Sequence, residues 1–156
     1  MKIVYCASWC AGVRYRTDVL PQLNWSPCPK LGMQKRILIV DDSASTRGLV
    51  RAFLESRPDF EVCGEAADGL EGVEKGLELK PDLIVLDYSM PQINGLQAAI
   101  ILHEVVPNTP IILFTFFKDA IPIYLARAAG VASVLSKTDQ LTMLADEVQR
   151  LTGWAN

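Results

Sequence analysis

Histidine and cysteine chemistry is nearly missing from this chain. His103 is the only histidine, and the four cysteines (Cys6, Cys10, Cys28, Cys63) form neither a CxxC pair nor a zinc-ligand spacing. A structural zinc site and a thiol redox motif are therefore not expected, and the pattern fits a reducing cytoplasm. Long apolar runs are missing too. The densest, Ile111 to Phe117, has the length of a strand, far short of the ~18 residues of a membrane span. Met1 to Arg16 has no apolar centre followed by a small-residue cleavage site, so it does not read as a secretory signal. Gly69, Gly95 and Gly130 punctuate turns without forming a GxGxxG or P-loop cradle. Positive charge is scarce as well: the net is −3, the wrong sign for a phosphate backbone, and no helix-turn-helix follows the last periodic segment. Direct nucleic-acid binding is not expected.

What remains is ample apolar content, half of all residues, enough for a full core in one domain. The chain changes character near residue 34. Residues 1–34 carry Lys2, Arg14, Arg16 and Lys30 against Asp18 alone, a net of +3, which leaves −6 for the rest of a chain whose total is −3. Three of the cysteines, Trp9, Trp25 and Pro27-Cys28-Pro29 lie in this early stretch, which has no sustained period of two or 3.6. Residues 1–33 read as a loosely ordered N-terminal extension, with Met33 as an alternative start.

From Gln34 onward short apolar runs alternate with helical patterns, which argues for βαβ units and an open parallel α/β sheet covered on both faces. The strands are expected at about 36–41, 61–66, 82–87, 110–115 and 131–135, and the helices at about 44–57, 69–80, 94–106, 119–129 and 139–152. Asp68-Gly69-Leu70-Glu71 has capping-box spacing, with Leu70, Val73 and Leu77 expected as the inner face behind it. Pro81 stops that helix. Leu141, Leu144, Val148 and Leu151 line one face of the last helix. Met33, Met90 and Met143 read as packing, and His103 as a surface or boundary residue.

The strand ends carry the chemistry. Ile37-Leu38-Ile39-Val40 runs into Asp41-Asp42, and Leu83-Ile84-Val85-Leu86 runs into Asp87. The fourth strand ends in Thr115, and Lys137 follows the fifth by two residues. Open α/β sheets place their ligand crevice at this carboxyl edge. Crowded carboxylates repel and are tolerated when a cation sits among them. Oxygen ligands suit a hard ion such as Mg²⁺ and offer nothing soft for zinc. A carboxylate there can serve as a nucleophile toward phosphorus, with a hydroxyl and an ammonium holding the phosphoryl oxygens. Each residue alone has an ordinary explanation: Asp41 or Asp42 as a helix cap, Thr115 as a strand-end hydroxyl, Lys137 as a solvated cation. Together, at four strand ends of one sheet, they are the types one reaction needs.

These residues make the stretch 34–153 resemble the receiver domain of two-component response regulators. The likeness rests on the pair Asp41-Asp42, on Asp87-x-x-Met90-Pro91-x-x-x-Gly95, on Thr115, and on Lys137, 22 residues after it. It implies a three-layer flavodoxin-like (βα)5 fold with strand order 2-1-3-4-5. It also implies phosphorylation of Asp87 by a histidine kinase or phosphotransfer protein, with Mg²⁺ on Asp42, Asp87 and the carbonyl of Ser89, and Asp41 acting through water. Thr115 and Lys137 would read out the phosphate. The implied role is a single-domain, cytoplasmic regulator that signals by protein–protein contact and is not a turnover enzyme; downstream target and homodimerisation are left open.

Three departures accompany the likeness. Val134 stands where an aromatic switch residue is common, Thr138 where proline often follows the lysine, and Phe116 where a small residue usually follows the threonine. Two other functions fit the residues less well. A haloacid dehalogenase-like phosphotransferase needs a second Asp two residues after its nucleophile, where this chain has Ser89. A phosphorylation-independent receiver-like binding module would have no need of the complete chemical set.

Overall fold

The computed structural model describes residues 34–153. The extension expected at residues 1–33, with Met33, Cys6, Cys10 and Cys28, lies outside them. Five strands, β1 (Lys35–Val40), β2 (Phe60–Ala66), β3 (Leu83–Leu86), β4 (Ile111–Thr115) and β5 (Ser133–Ser136), form one sheet in the order β2-β1-β3-β4-β5. Every pairing is parallel. The helices are α1 (Ala44–Glu55), α2 (Gly69–Leu79), α3 (Gly95–Val105), α4 (Ile123–Ala128) and α5 (Leu141–Leu151).

Alternation along the strands divides the core in two. Leu38, Val40, Ile84, Leu86, Ile111 and Leu113 face one side, where Ala98, Ala99 and Leu102 of α3 and Ala126 of α4 cover them. Ile37, Ile39, Leu83, Val85, Ile112 and Phe114 face the other, against Val50 and Leu54 of α1 and Leu144, Ala145 and Val148 of α5. Strands buried on both faces are near-continuous aliphatic runs for this reason. The inner face expected for α5 is the one observed, with Leu141 and Leu151 half-buried at its ends.

Two helices depart from expectation. In α2 the buried positions are Gly69, Gly72 and Gly76, while Leu70 and Leu77 are exposed. A Cβ at Gly72 would lie 2.7 Å from a Val40 methyl, and one at Gly76 would lie 2.7 Å from a Leu102 methyl. The helix backbone itself therefore rests on the sheet and on α3, and the leucines point outward. The fourth helix is not continuous over 119–129. A 3₁₀ turn (Lys118–Ala120) precedes it, and α4 begins only after Pro122. Pro122 pushes the residue before it out of the helical region, and Ile121 is extended, with φ −101° and ψ 108°. Met90 packs against the core as expected, but Met143 is half-exposed on α5. His103 is exposed on α3, its ring lying over Gly130.

Candidate functional site

The strands end one residue before the carboxylates. β1 stops at Val40 and β3 at Leu86, in register with each other, so Asp41 and Asp87 emerge side by side at the carboxyl edge. Backbone bonds fix the exits: Asp87 N donates to Val40 O at 2.8 Å, and Asp41 N to Ala66 O at 3.1 Å. β4 ends in Thr115, paired with Ser136, and Lys137 follows at once instead of two residues later. Its amide donates to Thr115 O at 2.9 Å.

The five residues expected at one edge are brought together. Among the described residues, Asp41, Asp87 and Thr115 are the buried polar or charged ones, at 3%, 5% and 0% exposure. Lys137 Nζ lies 2.6 Å from Asp41 Oδ2 and 3.1 Å from Asp87 Oδ1, a bridge whose side chains are almost wholly out of water. The second Asp41 oxygen accepts from Ser43 N at 2.9 Å. Asp42 is exposed, yet one oxygen from each of Asp41, Asp42 and Asp87 lies within 4.8 Å of the others. Neither aspartate of the pair caps α1; Ser43 does, accepting from Thr46 N. Ser89 is exposed in the loop after β3.

Burial pushes the Asp87 carboxyl above the usual carboxylate range; the Lys137 charge and hydrogen bond pull it down, and Asp41 pushes it up again. Thr115 Oγ1 accepts from Phe117 N at 3.2 Å, a bond that does not use its hydroxyl proton.

The donor set fits a divalent cation. Three carboxylates facing one ammonium leave two negative charges unmatched in a small, largely buried cluster. An all-oxygen set of this kind is what Mg²⁺ takes.

Three supports surround the site, of which Arg47 was not singled out from the sequence. Arg47 donates to the carbonyl of Asp41 at 2.7 Å and to Glu65 at 3.1 Å, tying the acidic loop to β2. Nothing in the sequence distinguishes it from other surface arginines of α1. Gly95, read as a turn residue and as the end of the stretch that begins at Asp87, lets α3 start against the site: a Cβ there would meet the Asp87 carbonyl oxygen. Its signal was the Asn94-Gly95 pair, where Asn94 forms a capping box with Gln97. In the loop after β5, where proline often follows the lysine, hydrogen bonds supply the restraint. Thr138 Oγ1 and Ser136 Oγ lie 2.7 Å apart, and Ser136 N donates to Asp139 at 3.2 Å. Val134 is half-buried against the core.

A five-stranded parallel sheet in the order β2-β1-β3-β4-β5, with its crevice at the carboxyl edge, defines a flavodoxin-like α/β protein. Within that class, the family model for the response regulator receiver domain matches residues 37–149. The chain belongs to that family, and its general role is phosphorelay signalling in two-component systems. It is 39% identical over 114 residues to the transcriptional regulatory protein LiaR of Bacillus subtilis, covering 73% of this chain and 54% of that one. It is 41% identical over 88 residues to a protein-glutamate methylesterase/protein-glutamine glutaminase of Thermotoga maritima, covering 56% of this chain and 26% of that protein. The crystal structure of the response regulator domain of Thermotoga maritima CheB superposes with a TM-score of 0.71 at 30% identity, covering 79% of this chain and 99% of that one. The chain thus spans about half or less of the length of these curated relatives. No helix among the described residues is long and apolar enough to cross a membrane.

Proposed function

We propose that residues 34–153 form a phosphoacceptor module in which Asp87 takes a phosphoryl group from a phosphohistidine donor and passes the signal on by protein–protein contact. The observation that carries this reading is the buried Lys137 bridge between Asp41 and Asp87 at the carboxyl edge. An ammonium held on both carboxylates also stands where it can hold a phosphoryl oxygen on Asp87.

The step is a displacement at phosphorus. An Asp87 carboxylate oxygen attacks, an acyl C–O–P link forms, and the donor's N–P bond breaks with its electron pair left on the imidazole nitrogen. Lys137 takes up negative charge on one phosphoryl oxygen, and the Thr115 hydroxyl donates to another. Asp41, Asp42, Asp87 and the carbonyl of Ser89 would hold Mg²⁺, which supplies positive charge for the transferring group when bound. Arg47 and Gly95 hold the two acidic loops in place. The module performs no turnover chemistry of its own beyond loss of the phosphoryl group. A net of −6 outside residues 1–34 favours protein partners over nucleic acid.

The test is incubation with acetyl phosphate and Mg²⁺ followed by intact-mass measurement. The unaltered chain should gain one phosphoryl group and Asp87→Ala none. Labelling that persists in Asp87→Ala would overturn the assignment.

A further inference from the structure

The ring of Phe116 lies over the site. Its centroid is 5.3 Å from Lys137 Nζ, within range of a cation–π contact. The side chain stays 63% exposed, whereas the ammonium beneath it is almost wholly covered. Asp41 and Asp87 hold the ammonium, and the face of the Phe116 ring is turned to the same nitrogen. The loop that carries it is tied down on both sides. Phe117 N donates to Thr115 Oγ1 at 3.2 Å, and Lys118 Nζ lies 3.7 Å from Asp139, in the loop that follows Lys137. Phe116 lies in neither of the two core clusters.

We infer that Phe116 is an access and positioning residue of this site, its ring seated on Lys137 so that it slows both the loading of Asp87 and the loss of its phosphoryl group. The inference rests on Asp87 being the acceptor. Loading needs a donor phosphorus in line with an Asp87 oxygen. Loss needs a water oxygen to attack the same phosphorus from the opposite side of the acyl link. The O–P bond then breaks, its electron pair restores the carboxylate, and the water proton leaves with inorganic phosphate. Both approaches come from the mouth of the site, and in-line attack is sensitive to small displacements. A phenyl ring there hinders both, and the contact also restricts where the ammonium can go. The result is a receiver that loads slowly and holds its charge.

The experiment uses the full chain with acetyl phosphate and Mg²⁺, following label gain and, after removal of donor, label loss by intact mass. Phe116→Ala should speed both rates by roughly 2- to 5-fold, the range that a single partly exposed cation–aromatic contact commands. Phe116→Tyr keeps the ring and should restore the slow rates in both directions, which a role in folding alone would not do. Rates for Phe116→Ala equal to those of the unaltered chain in either direction would overturn the inference while leaving Asp87 as acceptor. So would a Tyr variant as fast as the Ala one. Failure of both the unaltered chain and Phe116→Ala to take label, with circular dichroism intact, would remove the acceptor reading and the gate together. Label in Phe116→Ala alone would support the gate. If Phe116→Ala does not fold, Phe116→Leu replaces it under the same criteria.

Discussion

Replacing Lys137 by Met leaves Asp41 and Asp87 buried side by side without their shared cation. Both ion pairs are short, 2.6 and 3.1 Å, and all three side chains are about 5% exposed, so water cannot take over the role of the ammonium. Removing one partner of a buried pair costs about 3–5 kcal/mol, because the charge left behind is uncompensated. Part of that cost is relieved when a carboxyl protonates, and Asp87 already holds its proton more tightly than an ordinary aspartate because of burial. Without Lys137 to oppose burial, that tendency grows. A carboxyl whose folded-state pKa lies above its unfolded value of about 4 adds stability below that pH and loses it as pH rises through the folded value. The deficit of Lys137→Met should therefore be small at pH 4.5, grow as pH rises, and be fully developed near neutrality. Urea unfolding followed by far-ultraviolet circular dichroism in EDTA measures it. With a slope of about 2 kcal/mol/M, the midpoint should fall by about 2 M at pH 7.5. Millimolar Mg²⁺ should recover part of the loss by binding only the folded state. A deficit below about 1 kcal/mol at pH 7.5, or one that does not vary with pH, would mean that the bridge does not relieve carboxylate repulsion; the threshold sits well under the cost of an unpaired buried charge.

Two further outcomes are expected. Asp42→Ala should lose Mg²⁺ binding by calorimetry while its melting temperature without metal holds or rises, since one of three crowded carboxylates is gone; unfolding of this variant would make the residue structural. Lys80→Gly should raise stability by about 0.5–1 kcal/mol in urea, because Lys80 ends α2 in the left-handed region at φ 47°, where glycine carries no Cβ penalty; a loss of stability would show that the lysine side chain compensates for the strain.

The order of elements and the edge where the site forms were legible because they depend on local signals that do not compete. A strand buried on both faces has to be aliphatic along its length, so the first charge after the run marks where the chain leaves the core. Asp41 and Asp87 stand at that point in both central strands. Their adjacency then follows from β1 and β3 being neighbours, which comes from the sheet order and not from either segment alone. Lys137 was placed one residue too far from the end of β5, an error at the level of strand ends, yet the edge of the sheet on which it emerges is unaffected. The details that escaped are those set by contacts across the fold. Arg47 looks like any exposed helix arginine until the Asp41 carbonyl is seen beneath it.

The inner face of α2 shows why apolar periodicity misled. Leu70, Val73 and Leu77 repeat at helical spacing and are the only large apolar side chains of α2 before Leu79. A pattern that scores burial by hydrophobicity must choose them. Yet a helix that packs through its backbone wants the smallest residues on the contact line, and Gly69, Gly72 and Gly76 repeat with the same period one position earlier. The two stripes compete, and distance decides between them. With Val40 and Leu102 methyls within 2.7 Å of where a Cβ would stand, no side chain larger than hydrogen fits without movement. Val73, next to Gly72, is half-buried and packs against the core. The break before α4 is a different kind of miss. Pro122 was visible, and the bias it imposes on the residue before it is local. Taking that bias at its word would have started the helix after Pro122 and left Asp119, Ala120 and Ile121 in the connection that precedes it.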